Sequence, residues 1–355
     1  MKDLILKNNR NKVNILTGFV LLIFIILLQL LPCSLLSQVS GGGYSEAFMH
    51  RNVGGRPIAM AGAYTAISNE PNGIFYNPAA LGFFSDVPQV STMYSLLDYG
   101  RYHNSIAWAQ SVTGNIGLGF GINSFYGGAF TARDQTGLKR GDYSSISNSL
   151  VGALSYSIDF ASIGFGFKYI SENLLGSQTY AHGYGLDAGM KFNVLDLFSF
   201  GVAIQNLSSR IFWNTTGDVG EDLPYTIRTG VAAEYNLNVG VTRSNEYGEL
   251  EYIPPTRYIL VSLDAVMTQR ERAPRLMIGA EAALHEVIIF RAGMGLYGED
   301  NNTPQILPMN LWGAGVSIRP KISGAPFKLH IDYSISEDNL SKLKIAHHFA
   351  LMFEF

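Results

Sequence analysis

The sequence predicts an all-β protein: a transmembrane antiparallel β-barrel of about fourteen strands around an N-terminal plug. Three observations lead there. Only 15% of the 355 residues are charged and 47% are hydrophobic, whereas roughly 25% of residues are charged in ordinary soluble domains. Beyond residue 37 no apolar run reaches the roughly 18 residues that a spanning helix needs. Apolar and polar residues alternate instead, segment after segment, and a strand sends successive side chains to opposite faces.

The chain opens on a leader. Lys2, Lys7, Arg10 and Lys12 precede an apolar core from Ile15 to Leu31, Pro32 breaks it, and Ser34 to Ser37 offer a cleavage site before Gln38. Residues 1–37 therefore read as a signal peptide; a retained anchor is the alternative for a core of near-spanning length. Cys33, the only cysteine, falls in this segment. The mature chain then has no disulfide, thiolate metal site or cysteine nucleophile.

Residues 38–86 read as the plug. After Gly41-Gly42-Gly43, the stretch from Arg51 to Phe84 shows no two-residue alternation. Pro57, Pro71 and Pro78 forbid a continuous helix or a central strand. A segment this apolar and this broken needs an enclosing wall to bury its side chains and to satisfy its backbone.

The wall is residues 87–355. In Phe327–Ile335 every odd position is apolar and every even one polar, and Phe349, Leu351, Phe353 and Phe355 share one face of the last segment. Alternating segments fall near 87–99, 101–112, 114–127, 145–158, 161–173, 178–193, 198–208, 223–236, 257–268, 274–285, 287–298, 310–319, 326–336 and 345–355. Segments of about ten residues in even number suit tilted strands crossing a bilayer. Connections near 113–115, 160–161 and 285–287 are short and fall on one side, the periplasmic side of such a barrel. Longer links at 128–144, 209–222 and 299–309 fall on the other. The link 237–256 is long on the short side; either the two flanking strands extend past the membrane as a hairpin turning near Glu246-Tyr247-Gly248-Glu249, or the number of strands differs there.

With the apolar set facing lipid, the lumen carries Lys168, Asp187, Lys191, Arg228, Glu234, Asp264, Glu281, Arg291, Lys328, His330 and Asp332. Glu281 and Arg291 are expected opposite one another across the His285 turn, a cross-strand pair of about 0.2–1 kcal/mol. These charges either brace a plugged barrel or contact the plug and gate it. Gly117, Gly119, Gly121, Gly164, Gly166, Gly183 and Gly185 leave room for the plug to approach the wall.

No enzymatic constellation stands out. There is no GxSxG, HExxH or phosphate-cradling glycine loop, and the adjacent pair His347-His348 points to opposite faces and cannot jointly hold a metal. No cofactor, metal or catalytic residue is expected, and a net charge of −3 argues against nucleic acid as a partner.

The run Gly55-Arg56-Pro57-Ile58-Ala59-Met60-Ala61-Gly62-Ala63-Tyr64-Thr65-Ala66, followed by Ile74-Phe75-Tyr76-Asn77-Pro78-Ala79-Ala80-Leu81, resembles the plug of FadL-like outer-membrane proteins, the PorV/PorQ branch above all. Arg56, Met60, Gly62, Asn77, Pro78 and Ala79 carry the match. Ala61 replaces the first glycine of a pair, and Ser68-Asn69-Glu70 stands where Ala-Asp-Asp is usual, which removes an acidic residue. The resemblance implies a plugged barrel in the Gram-negative outer membrane that assists type IX protein secretion or surface attachment of cargo. Phe212 and Trp213, or Ile306 and Leu307, would then offer partner-binding loops. The alternatives are a FadL-like channel for hydrophobic small molecules and a structural barrel without transport.

Overall fold

The computed structural model describes residues 47–67, 70–194, 197–215, 217, 220–244, 250–253, 255–269, 274–296, 312–322, 324–338 and 343–355. The leader, Cys33 and the loop residues Ile306 and Leu307 lie outside them. Gly41–Thr268 with Ala273–Phe355 form one compact unit, which holds every element described below.

Alternation becomes strand almost throughout. The strands are β1 (Gln89–Leu96), β2 (Tyr102–Ser111), β3 (Ile116–Arg133), β4 (Lys139–Ile158), β5 (Ala161–Leu175) and β6 (Tyr180–Val194). Then come β7 (Phe198–Gln205), β8 (Arg210–Trp213), β9 (Thr226–Asn236), β10 (Val241–Ser244), β11 (Leu250–Ile253) and β12 (Tyr258–Thr268). The last five are β13 (Arg275–Ala283), β14 (Ile288–Leu296), β15 (Trp312–Ile318), β16 (Lys328–Glu337) and β17 (Ile345–Glu354). All but β8, β10 and β11 form one closed antiparallel ring of fourteen strands. β1 seals it against β17, from Gln89↔Glu354 to Leu96↔His347. Closure leaves no ladder edge to satisfy in lipid.

The outer face is apolar as the pattern requires: Phe120, Leu154, Phe165, Phe167, Leu263 and Phe290 are each more than half exposed. Inward neighbours on the same strands are small or polar and buried, such as Ala153, Ser155 and Ser162. No helix among the described residues is long and apolar enough to cross a membrane.

Three departures from the expected connections have local causes. The link expected at 128–144 is mostly strand, because β3 and β4 continue past a register shift between Tyr126 and Ala129 and turn only at 134–138. Gly127-Gly128 and that shift break the alternation, which is where the pattern stopped being readable. The strand expected at 198–208 is interrupted: β7 ends at Gln205, Asn206 takes a left-handed φ of 57°, and β8 resumes alongside β6 at Tyr184↔Arg210. The long link 237–256 holds β10 and β11, paired only with each other, so the hairpin stands apart from the barrel sheet. The end of the barrel where β1 begins and β17 finishes is called here the turn end, and the opposite end the loop end.

Candidate functional site

The plug fills the lumen with short, proline-started turns. Helix α1 (Gly55–Ala59) is five residues long and wholly buried. Two 3-10 turns follow, Pro71–Phe75 and Pro78–Phe83, each with Pro in its first turn, where the missing N–H removes nothing. Asn77 caps the second, its Oδ1 accepting from the Ala79 N–H at 3.0 Å. Its Nδ2 donates to Thr65 O inside the plug and to Met190 O on β6, both at 3.1 Å. Asn77 therefore ties two plug turns and the wall together from a fully buried position.

The wall gives way to the plug at glycines. A methyl group added at Gly117 would lie 2.1 Å from Leu81 O, at Gly164 2.4 Å from Ala79 N, and at Gly201 2.2 Å from Thr65 O. At Gly293 and Gly313 it would meet the backbone of Met60 and Ile58 at 2.3 and 2.1 Å. Gly119 and Gly121 likewise face Ile74, Leu81 and Phe75. Not every expected glycine takes part: a methyl at Gly166 would find Asp187 at 3.4 Å, and Gly183 and Gly185 face β8 and its connection rather than the plug.

Charged groups fasten one half of the plug. Arg56 donates Nε and Nη2 to the two Glu281 oxygens at 2.7 and 2.8 Å. Glu281 also accepts from Arg291, its cross-strand partner on β14, and from the Tyr258 hydroxyl at 2.5 Å. Arg291 continues to Asp332 on β16 at 2.6 Å. The expected Glu281–Arg291 pair is thus present, but as part of a buried chain, and the small energy of a solvated pair does not apply to it. Buried partners depend on one another, because removing either strands a charge away from water. Glu70 lies 3.4 Å from Arg56. An acidic contact to the plug arginine is therefore present although Ser68-Asn69-Glu70 has one acidic residue fewer than the usual triplet. Burial pushes the Glu70 carboxyl up despite Arg56 beside it.

A second cluster sits under residues 62–66. Asp264 accepts the Tyr64 and Thr65 N–H groups at 3.0 and 2.9 Å and the Thr65 hydroxyl. Arg228 lies 3.6 Å from Asp264 and donates to Gly62 O at 2.9 Å. Lys191 reaches Ala66 O at 2.6 Å. Lys168 and Asp187 pair at 2.9 Å and touch the strand break, where Asp187 accepts the Asn206 N–H at 2.9 Å. Glu234 and His330 are half-buried on the inner side. Lys328 is a correction: it lies exposed at the turn end, paired with Glu354 at 2.7 Å, because its strand begins there. The sequence reading missed Tyr258 and the backbone-capping role of Asp264, though both occupy inward positions of one alternating strand.

One cavity of about 50 Å³ opens between the plug and the wall toward the loop end. Its lining includes His50, Arg51, Phe75, Tyr76, Lys168, Asp187, Gln205, Asn206, Arg228 and Arg275. Apolar side chains share the lining with these, among them Met49, Val53, Ile74, Val151 and Met277. Phe212 and Trp213 belong to β8, half-buried beside the fully buried Ile211, which packs with Phe48, Ile170, Ala181 and Leu223. They fold onto the barrel rather than projecting from it. Among the described residues no three His, Cys, Asp or Glu side chains converge as a metal site.

These features define a class: a fourteen-stranded antiparallel barrel of outer-membrane type, closed by an internal N-terminal plug. No protein-family model and no curated protein matches the sequence. Solved structures share the fold. The Ralstonia pickettii toluene transporter TbuX superposes with a TM-score of 0.51 at 14% identity, covering 86% of this chain and 98% of that one. A Pseudomonas aeruginosa FadL homologue gives 0.52 at 12%, covering 85% and 98%. The Pseudomonas putida toluene transporter TodX gives 0.52 at 10%, again covering 85% and 98%. The chain has a FadL-like barrel fold.

Proposed function

We propose that this chain is an integral protein of a Gram-negative outer membrane, exported by a leader ending near residue 37, that admits small apolar molecules through a plugged barrel. The observation that supports this reading most is the fold shared with toluene transporters over nearly their whole length. The path is shut. A cavity of about 50 Å³ is well below the roughly 150 Å³ that holds a benzene ring, so passage requires the plug or the wall to move. The ring of ladders is interrupted at 206–209, because β7 pairs with β9 only as far as Gln205↔Thr226 and β8 pairs with β6 alone. Side chains fill in there: Asn206 Nδ2 donates to Pro224 O at 3.3 Å and Ser209 Oγ to Leu223 O at 3.2 Å. Sideways release would use this break.

A second reading, assistance to type IX secretion in the manner of PorV/PorQ proteins, draws on the plug motif around Arg56 and Asn77. It is also favoured by the β3–β4 hairpin, which runs beyond its pairing with β2 and exposes Phe130 and Leu138 as a surface for cargo. Uptake of labelled toluene by cells with and without the chain separates the two. A several-fold faster initial rate with the chain supports the channel. An unchanged rate, with secreted proteins recovered on the purified barrel, supports export; neither outcome leaves a structural barrel.

A further inference from the structure

The plug proper begins at Gly55, yet the chain is already inside the barrel before it. Ala47–His50 form a 3-10 turn, and Phe48 is buried among Ile170, Ala181, Ile211 and Leu223 at the loop end. Arg51 lies over the Phe125 ring at 5.2 Å. The Val53 N–H reaches the Tyr76 hydroxyl at 2.9 Å. The segment therefore crosses the lumen on the loop-end side of the plug and forms one wall of the cavity.

Two histidines of the wall, His103 and His348, sit beneath it, and a third, His50, is its own. His103 and His348 flank Ser95 in the ladder, one on each neighbouring strand. The His348 ring nitrogens meet Ser95 Oγ at 2.7 Å and Ser336 Oγ at 2.8 Å, and the ring is 3% exposed. His103, 1% exposed, bonds Asn123 and stands edge-on to Phe125, the ring that Arg51 covers from the strap side. The nearby carboxylate, Asp338, is engaged by Arg101 at 2.7 Å. His50 faces the cavity together with Lys168, Arg228 and Arg275, and with Asp187, which Lys168 already holds. Burial first, then Arg275, Lys168 and Arg228, lower the His50 imidazole to about 3 from its ordinary 6.5.

We propose that Ala47–Val53 is an acid-released strap over the plug, seated while His50, His103 and His348 are neutral and expelled when they take up protons. The sign follows from linkage. A group that binds protons less readily when seated gives stability that is present above its ordinary titration range and lost as pH falls through and below it. Each added proton would place a cation in a dry site already populated by Arg51 on one side and by Lys168, Arg228 and Arg275 on the other. Leaving the site rehydrates the imidazoles and separates the charges, and it opens the cavity toward the loop end. The device works in a closed barrel whatever the barrel carries.

A nitroxide attached at Met49→Cys, in a chain also carrying Cys33→Ser, reads the strap directly and needs no substrate. The spectrum should be immobile at about pH 7.5 and become mobile at about pH 5, across the histidine range. Single-channel conductance in planar bilayers should rise several-fold over the same interval. A disulfide between Phe48→Cys and Ala181→Cys should abolish the conductance rise. The combined variant H50N, H103N, H348N should stay immobile at both pH values, with folding confirmed by the gel shift between unheated and heated samples. If that variant does not fold, H50N alone should reduce the mobile fraction at about pH 5. An immobile label at both pH values in the folded parent barrel, or a transition undiminished in the histidine variants, overturns the proposal.

Discussion

Arg56 of the plug and Glu281 of β13, 225 residues apart in sequence, meet through paired N–H···O bonds of 2.7 and 2.8 Å in a site closed to water. Glu281 is the hinge of the surrounding network, since Arg56, Arg291 and Tyr258 all donate to it. Glu281→Ala should leave two guanidiniums facing each other across a gap, at a cost of about 3–5 kcal/mol. Urea unfolding in detergent micelles, followed by tryptophan fluorescence, should show a lower midpoint. An unchanged midpoint would mean that the plug is held elsewhere.

Glycine contacts make a sharper test because two neighbours differ. Gly164→Ala would drive a methyl into the Pro78–Ala79 backbone at 2.4 Å, and backbone held by a cap cannot retreat cheaply. Gly166→Ala, two residues along the same face, meets only Asp187 at 3.4 Å. Membrane yield of folded barrel should fall for the first and hold for the second. Equal yields would contradict the close seating of the plug.

Asn77→Ala removes a cap and two bonds to carbonyl oxygens at once. Orphaning buried partners costs about 1–3 kcal/mol each. Proteoliposomes holding the variant should leak a small dye faster than those holding the parent. Identical leakage would remove Asn77 from any part in the seal.

Deletion of Phe355 should impair assembly. Its N–H bonds Pro88 O at 3.1 Å, and its ring lies 6.4 Å from both Phe327 and Phe353, so the last residue fastens both neighbours of the closing strand. Normal amounts of heat-modifiable barrel in membranes would refute this.

Much of this architecture was legible because a barrel strand writes its two environments alternately into the chain. Glu281 and Arg291 could be paired from the turn between them, and the fourteen segments match the ring to within a few residues except at β3, β4 and β7. Those exceptions share a cause: Gly127-Gly128 and Asn206 shift register or leave the ladder, and alternation carries no signal across such a break. The plug contacts were legible only in part. Arg56 and Asn77 stood out by their setting, but their partners lie far along the chain and are fixed by how the ring closes. Glu70 drew no reading of its own from the altered triplet, although its carboxylate lies beside Arg56. Lys328 shared the inward phase of His330 and Asp332, and phase alone does not tell a lumen position from a barrel rim.

The most direct test of the central claim locks the plug and asks whether transport stops. Ser162 on the wall lies against the plug at Gly82, where an added Cβ would come within 2.5 Å of the Ser162 Cβ, so cysteines at Ser162→Cys and Gly82→Cys, with Cys33→Ser, are close enough to join plug to wall. Toluene uptake by cells bearing the oxidised pair should fall to the level of cells lacking the chain and return on reduction. Uptake that is equally fast in the oxidised and reduced forms, or no faster than without the chain in either, would contradict a route through a movable plug.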